Sequence, residues 1–249
     1  DPYLEDSTTT AIAIKADGDK IRNIDIFIYS TKGTQVLEKH ISLTKYTGSL
    51  DVVTTAGEKK VAVIANSPYR FNLAALSKFE SIEQMEYSFE DDSPEFPIMG
   101  GSCITIGNVA QVTPLPLLNT ITLTEISCGL DDYETLESPR IRLKDFSRSA
   151  RILQTADFHP KEAIDSGKWM PLPHDVGLFT QQPGTILYCY PDETPETTLG
   201  TPHTIFELEC FIGGKKCSYE IRMPPAGRNV DRSVEMTINA PDEYTFKVH

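Results

Sequence analysis

The stretch Ile24-Asp25-Ile26-Phe27-Ile28-Tyr29 decides the class of fold, because isoleucine occupies every second position in it. A period of two places residues 24, 26 and 28 on one face of a β-strand, whereas an amphipathic helix needs apolar residues three or four positions apart. Isoleucine, phenylalanine and tyrosine are also the residue types that strands favour. The stretch therefore predicts a β-strand with a buried face.

Short runs with the same period recur along the whole chain. They are Thr10–Ala16, Lys60–Ala65, Leu117–Ser127, Arg140–Phe146, Ile186–Tyr190, Thr204–Ile212, Ser218–Met223, Ser233–Ile238 and Tyr244–Val248. Many short strands without long helices between them predict an all-β protein made of antiparallel sandwiches. The exception is Phe71–Phe79, where a run of leucine and alanine predicts one short surface helix.

The chain has 249 residues, which is enough for two domains of ordinary size. A polar break, Gly129-Leu130-Asp131-Asp132, follows the long strand pattern at Leu117–Ser127. We therefore expect an N-terminal sandwich over residues 1–128, which holds the helix, and a C-terminal sandwich over residues 129–249. Within the second, Thr155–Gly184 and Pro191–Pro202 are rich in proline and are predicted to be loops.

The charge of the chain excludes some partners. With 36 acidic and 23 basic residues the net charge is -13, which repels phosphate backbones, so no nucleic-acid partner is expected. No apolar run reaches the roughly 18 residues that a membrane span needs. Asp1–Thr9 is acidic and rich in serine and threonine, which is typical of an unpacked tether. Because no methionine begins the chain, we expect a processed product whose targeting segment is gone.

No motif for catalysis is found. The glycine pairs lack the residues of a phosphate-binding loop, no G-x-S-x-G elbow occurs, and the five cysteines and five histidines have no zinc spacing. No enzyme activity, metal or cofactor is therefore expected. An odd number of cysteines leaves at least one of them unpaired. A two-residue turn at Gly213-Gly214 would place Cys210 opposite Cys217, either as two thiols or as a disulfide.

Two features are candidates for binding. Trp169 is the only tryptophan, and it is either an exposed platform for stacking on sugars or a ring that closes one end of a sandwich. The alternating residues Arg140, Arg142 and Lys144 would share one strand face, which is a solvated face first and a binding patch second.

Four stretches carry a resemblance to a known family. They are Ile21–Tyr29 with Gly33 after it, Gly57–Pro68, Pro97-Ile98-Met99-Gly100, and Leu187–Asp192 with the strands near Tyr219–Pro224 and the pair Arg228-Asn229. In order and spacing they resemble the fimbrillin superfamily of Bacteroidales, and within it the smaller fimbrial anchor proteins. The resemblance implies two transthyretin-like sandwich domains, no catalysis, and a role in building or anchoring an adhesive surface fibre.

The resemblance also implies how such a subunit assembles. Subunits of this family add a strand to one another, usually after proteolysis removes an N-terminal strand. Here Thr10–Ala16 would be the first strand, and Lys20 and Arg22 are candidate cleavage positions, with exposed turn charges as the ordinary alternative. The resemblance further implies a lipoprotein of the outer membrane, exported by a signal peptide and acylated on a cysteine shortly before Asp1. The fimbrial partners and any host or bacterial surface ligand stay unidentified.

Two other classes of function remain open from the sequence. A stand-alone glycan-binding protein of the cell surface would use Trp169. A hydrolase on a sandwich would need two carboxylates that converge from separate strands, whereas neighbouring pairs such as Asp91-Asp92 are usually solvated turn residues.

Overall fold

A computed structural model of the chain describes residues 6–154, 162–192 and 202–249. They form two compact units: residues 6–117 and 150–154 make the first, and residues 118–149, 162–192 and 202–249 the second. Nearly all regular structure is β, so the all-β class is confirmed.

The first half of the chain contributes these elements in order: β1 (Ser7–Ile14), β2 (Ile24–Ser30), β3 (Leu37–Leu43), β4 (Ser49–Thr55), β5 (Lys59–Ala65), α1 (Phe79–Glu83), β6 (Glu86–Ser88), β7 (Met99–Ile104), β8 (Val109–Val112) and β9 (Leu115–Pro116). Two 3-10 turns, Gly18–Lys20 and Phe89–Asp91, lie between them.

The strands of the first unit form two main sheets, a three-stranded sheet in the order β4-β1-β8 and a five-stranded sheet in the order β3-β2-β5-β7-β9. Both sheets contribute to one apolar core, in which the predicted period of two is visible: Ile24, Ile26 and Ile28 of β2 are fully buried. The other face of β2 is also buried, because Phe71 and Phe79 pack against Phe27 and Tyr29.

The second half contributes β10 (Asn119–Cys128), β11 (Glu137–Ser147), β12 (Ser149–Arg151), β13 (Ala163–Ser166), β14 (Met170–Pro171), β15 (Thr185–Cys189), β16 (Ile205–Ile212), β17 (Lys215–Arg222), β18 (Asp231–Ala240) and β19 (Glu243–Val248). One sheet of the second unit has the order β15-β10-β18-β19, and the other has the order β13-β11-β16-β17, with β14 also paired to β11. Their inner faces carry the buried side chains, and Tyr219 of β17 meets Tyr244 of β19 edge to face.

The boundary expected between residues 128 and 129 is wrong. The pattern at Leu117–Ser127 becomes β10, which pairs with β15 and β18 and so belongs to the second unit. The chain passes from one unit to the other after Leu117, and the polar break after Cys128 only joins β10 to β11. Residues 150–154 return to the first unit, where β12 pairs with β6.

The position predicted for the helix is also wrong, although one short helix is present. In Phe71–Phe79 the Asn72 side chain accepts hydrogen bonds from the N–H groups of Ala74 and Ala75, so a local turn competes with a helix. The helix α1 begins at Phe79 instead, because Phe79 and Ile82, one turn apart, are both buried.

Two stretches that were expected to be irregular contain strands. Ser7, Thr8 and Thr9 of the expected tether form the first three residues of β1, because their backbones pair with β4. The predicted loop Thr155–Gly184 contains β13 and β14, which pair with β11. In both cases the neighbouring strand supplies backbone hydrogen bonds that an apolar pattern does not reveal. The predicted loop Pro191–Pro202 lies mostly outside the described residues.

Candidate assembly site

The strand β1 lies in the middle of the three-stranded sheet of the first unit. It runs antiparallel to β4, with Thr10 opposite Val52, and parallel to β8, with Ile12 opposite Ala110. Each of its neighbours is hydrogen-bonded to it alone in that sheet. The sheet therefore depends on β1 for its continuity.

Every second side chain of β1 enters the core. Ile12 and Ile14 are each 1% exposed, and Thr10 is 2% exposed, with its Oγ1 2.9 Å from Thr54 Oγ1. Burying two isoleucines contributes about 3–6 kcal/mol in all. A strand that replaced β1 would have to present small or aliphatic side chains at these same alternate positions and run in the same direction.

The outer edge of β4 is covered by side chains of β3. The Lys39 ammonium donates to the Val53 carbonyl, and the Glu38 carboxylate accepts the N–H of Thr55. Glu38 also pairs with the buried Lys59 ammonium at 2.9 Å. Partial burial raises the pKa of Glu38, but the hydrogen bonds from Thr55 and Lys59 outweigh it and hold this pKa below its ordinary value. These groups occupy positions that an added strand would need.

The outer edge of β8 is closed by its own hairpin. Ile106 and Val109 exchange two backbone hydrogen bonds of 2.9 and 3.2 Å, and the Gln111 backbone hydrogen-bonds the thiol of Cys103. Both edges of the three-stranded sheet are thus partly occupied, and the position of β1 is the place where a full ladder is available.

The segment that joins β1 to β2 holds the two candidate cleavage residues. Lys20 ends the turn Gly18–Lys20, Arg22 follows it, and both side chains are exposed. The residue between them, Ile21, is only 7% exposed. The guanidinium of Arg22 lies 3.9 Å from the centre of the Phe96 ring. The side chains are therefore accessible, but the backbone between them is held in place.

Asn66 is the residue that holds this backbone. Its Nδ2 donates to the carbonyl of Lys20 at 2.7 Å and to that of Pro97 at 2.8 Å, and its Oδ1 accepts the N–H of Arg22 at 2.8 Å. Asn66 has φ of 62°, a left-handed conformation that asparagine tolerates better than most residues. The side chain joins three segments that are distant in sequence. Asn66 falls in the stretch Gly57–Pro68 that carried the family resemblance, but spacing alone did not mark it as a site residue.

Trp169 lies on the outward face of the second unit. Its ring covers the guanidinium groups of Arg140 and Arg142, at 4.3 and 4.1 Å from their central carbons, and it is half-buried. The two arginines share a face as expected and pair with Glu209 and Glu207 of β16. Two guanidinium groups thus lie against the ring, which leaves less of it for a sugar.

The hairpin of β16 and β17 places Cys210 directly opposite Cys217, so the predicted register is confirmed. Gly213 and Gly214 both have positive φ, of 56° and 77°, which this two-residue turn requires. All five cysteines are free thiols. Burial raises the pKa of Cys210 to about 12, so this thiol stays protonated at neutral pH.

Two negative findings apply to the described residues. In residues 6–154, 162–192 and 202–249, no group of three or more His, Cys, Asp or Glu side chains is placed to bind a metal ion. No helix in these ranges combines the length and the hydropathy needed to span a membrane.

Comparison with known families identifies the class of protein. Residues 5–113 match the model of the major fimbrial subunit protein (FimA) family. The match covers β1, Asn66 and the segment that holds Lys20 and Arg22. The match covers somewhat less than half of the chain, so the first unit is similar to this family of fimbrial subunits, and the expected resemblance to the fimbrillin superfamily is confirmed.

Solved structures share the fold of the whole chain. A candidate cell adhesion protein of Parabacteroides distasonis has a TM-score of 0.75 at 12% identity, with 97% of this chain and 95% of that chain covered. One of Bacteroides eggerthii has a TM-score of 0.71 at 17% identity, with coverage of 97% and 94%. A fimbrilin (FimA) of Porphyromonas gingivalis has a TM-score of 0.70 at 14% identity, with coverage of 96% and 95%. No curated protein matches the chain.

The family match indicates the general role. It supports a structural role in a fimbria and in adhesion, and such a role implies assembly with other fimbrial subunits at the cell surface. The family is one of structural subunits, not of enzymes.

Proposed function

We propose that subunits with this fold join one another by β-strand exchange at the position that β1 occupies in this chain. The observation that supports the proposal most directly is the central place of β1 between β4 and β8, whose outer edges are partly occupied. Removal of β1 would free one edge of each neighbour and the core positions of Ile12 and Ile14. A strand from another subunit would regain both the backbone ladder and the apolar burial.

We further propose that this chain keeps its own β1 and occupies an anchoring or accessory position in the fibre. The backbone at Lys20 and Arg22 is tied to Asn66 on both sides of the buried Ile21, which favours an intact link. A subunit with an intact link has no vacant position in its first unit and would end a fibre there. Lys20 and Arg22 remain the candidate cleavage positions for any subunit that is processed.

The anchoring position includes attachment to the outer membrane by an N-terminal lipid, after export by a signal peptide. This part of the proposal rests on the family resemblance and on the acidic start of the chain. Several acyl chains would hold firmly where a single one gives only marginal binding. The gene sequence tests it: a precursor with a signal peptide and a cysteine shortly before Asp1 is expected, and a precursor that lacks this cysteine would contradict the lipid attachment.

A complementation experiment tests the position in the fibre. Cells that lack the gene are expected to release fimbriae into the medium, and the unchanged chain is expected to restore attachment. A variant with Ile12→Asp, which cannot seat β1, should fail to restore it, whereas Thr9→Asp on the exposed face of β1 should succeed. Fimbriae that stay attached without the protein would contradict an anchoring role.

A further inference from the structure

The outer edge of β19 in the second unit is an uncovered sheet edge. β19 is the last strand of the order β15-β10-β18-β19. Ser233 and His249 exchange backbone hydrogen bonds of 3.0 Å, so the ladder with β18 uses the odd-numbered residues of β19. The N–H and C=O groups of Tyr244, Phe246 and Val248 therefore point away from β18. Within the described residues, no group hydrogen-bonds to them.

The side chains of β19 alternate between two faces. Tyr244, Phe246 and Val248 lie opposite Ile238, Met236 and Val234, which are buried, so they are on the inner face of the sheet. Phe246 nevertheless remains 48% exposed, because it lies beyond the edge of the core. The other face carries Glu243, Thr245 and Lys247, and all three are exposed. An edge of this kind is a template for pairing with another strand.

The sequence of β19 is complementary to its own reverse. When two copies of the segment Glu243-Tyr244-Thr245-Phe246-Lys247 are aligned antiparallel about Thr245, an acid lies opposite a base and one aromatic ring lies opposite another. In an antiparallel pair of two copies, Glu243 of each would lie across from Lys247 of the other, and Tyr244 across from Phe246. The two threonines would meet at the twofold axis.

The backbone is compatible with this register. Outward-pointing groups occur at even positions, and the register about Thr245 pairs Tyr244 with Phe246, so these residues would exchange four hydrogen bonds across the axis. A register shifted by one residue would pair odd-numbered residues of one copy with even-numbered residues of the other. This register is excluded because the backbone N–H and C=O groups of the odd-numbered residues point to β18. A shift by two residues keeps the hydrogen bonds but separates both pairs of opposite charges.

We propose that two copies of this chain associate through β19 as a symmetric dimer in which the four-stranded sheets become one continuous sheet. The surface is isologous, as twofold dimers require, because each residue of the strand finds its complement in the same strand of the other copy. The dimer covers the exposed Phe246 and satisfies the free backbone groups. This surface lies in the second unit and is independent of strand exchange at β1.

A charge-reversal series tests the dimer by sedimentation velocity over a range of concentrations at physiological salt. Glu243→Lys replaces two attractive pairs by two pairs of lysines and should weaken association about tenfold. The double variant Glu243→Lys, Lys247→Glu restores opposite charges across the axis and should recover association. Since both positions are exposed, the variants should fold, which circular dichroism verifies.

A cysteine at the axis tests the register itself. Thr245→Cys places two thiols opposite each other at a non-hydrogen-bonded pair, where Cα atoms lie about 4.5 Å apart, so a mild disulfide oxidant should link the copies. Glu243→Cys, on the same face but away from the axis, is the matched control and should link poorly, as should the unchanged chain. The proposal would be overturned by any of three results: the chain is monomeric at every concentration, Glu243→Lys leaves the association constant unchanged, or both cysteine variants form the disulfide-linked dimer equally well.

Discussion

The three-stranded sheet of the first unit and the four-stranded sheet of the second differ in whether other groups cover their edge strands. In the first, Glu38 and Lys39 occupy the edge of β4, and a hairpin occupies that of β8. In the second, the edge of β19 carries no such cover among the described residues. A covered edge discourages addition from outside and directs exchange to the middle strand, whereas an open edge accepts a strand directly.

The largest expected effect concerns the seating of β1. Ile12→Asp places a carboxylate in a site that is 1% exposed, so the free energy of unfolding should fall by about 3–5 kcal/mol. Thr9→Asp on the exposed face should change it by less than about 0.5 kcal/mol. Chemical denaturation of the two variants measures the difference. Equal effects would mean that β1 does not contribute its alternate residues to the core.

The second prediction concerns the segment that retains β1. Asn66→Ala removes three hydrogen bonds and leaves a left-handed backbone without a suitable residue, so stability should fall by about 2–4 kcal/mol. Limited trypsin digestion should cut the variant faster at Lys20 and Arg22.

The variant Asn66→Gly separates the two causes. Glycine accepts the positive φ, so this variant should be about 1 kcal/mol more stable than the alanine variant while it is cut as readily. If neither variant is cut faster than the unchanged chain, Asn66 does not protect the link.

The third prediction concerns the cover on β4 and its dependence on pH. Because the pKa of Glu38 is lowered in the folded state, its contribution to stability is complete above its ordinary value of 4.5 and is lost as the pH falls through the folded value. Glu38→Gln should therefore flatten the loss of stability in acid. Glu38→Ala removes the acceptor of the Thr55 N–H, so hydrogen exchange at the Thr55 amide should become faster in that variant at neutral pH. An unchanged Thr55 amide would show that the edge of β4 is not covered by Glu38.

The smallest effect is expected on the outward face of the second unit. Trp169→Ala removes the ring from Arg140 and Arg142 and should cost about 1 kcal/mol of stability. It should leave the association through β19 unchanged, since the ring lies over β11 in the other sheet of that unit. A glycan array is the second measurement. Glycan binding that disappears in this variant would instead favour the alternative hypothesis of a sugar-binding protein.

The sequence predicted the strands well because period-two alternation reflects burial directly. Ile24, Ile26 and Ile28 lie in the core as expected, and the turn at Gly213-Gly214 set the register of Cys210 and Cys217 correctly. The prediction failed where the pairing partners of a strand decide to which unit the strand belongs. The alternating sequence of β10 predicts a strand but does not indicate which unit contains it. Only its hydrogen-bonded ladders with β15 and β18 assign it to the second unit.

The candidate site was predictable in part. Lys20 and Arg22 were visible as basic residues after a first strand, but their backbone is fixed by Asn66, which is more than forty residues away in the chain. A single asparagine after a strand has no spacing that reveals such contacts. The order β4-β1-β8 was likewise hidden, since β1 pairs with a neighbour nearly a hundred residues later.

A strand-exchange assay tests the central claim, that the position of β1 accepts a strand from outside. A specific protease site inserted after the exposed Asp17 would be cut in the folded protein, and the same site after Gly57 serves as the control that leaves β1 attached. A labelled peptide with the sequence of Ser7–Ile14 should then bind to the protein cut after Asp17 and not to the control. The peptide with Ile12→Asp should not bind to either. Failure of the first peptide to enter, or equal entry of both peptides, would contradict the account.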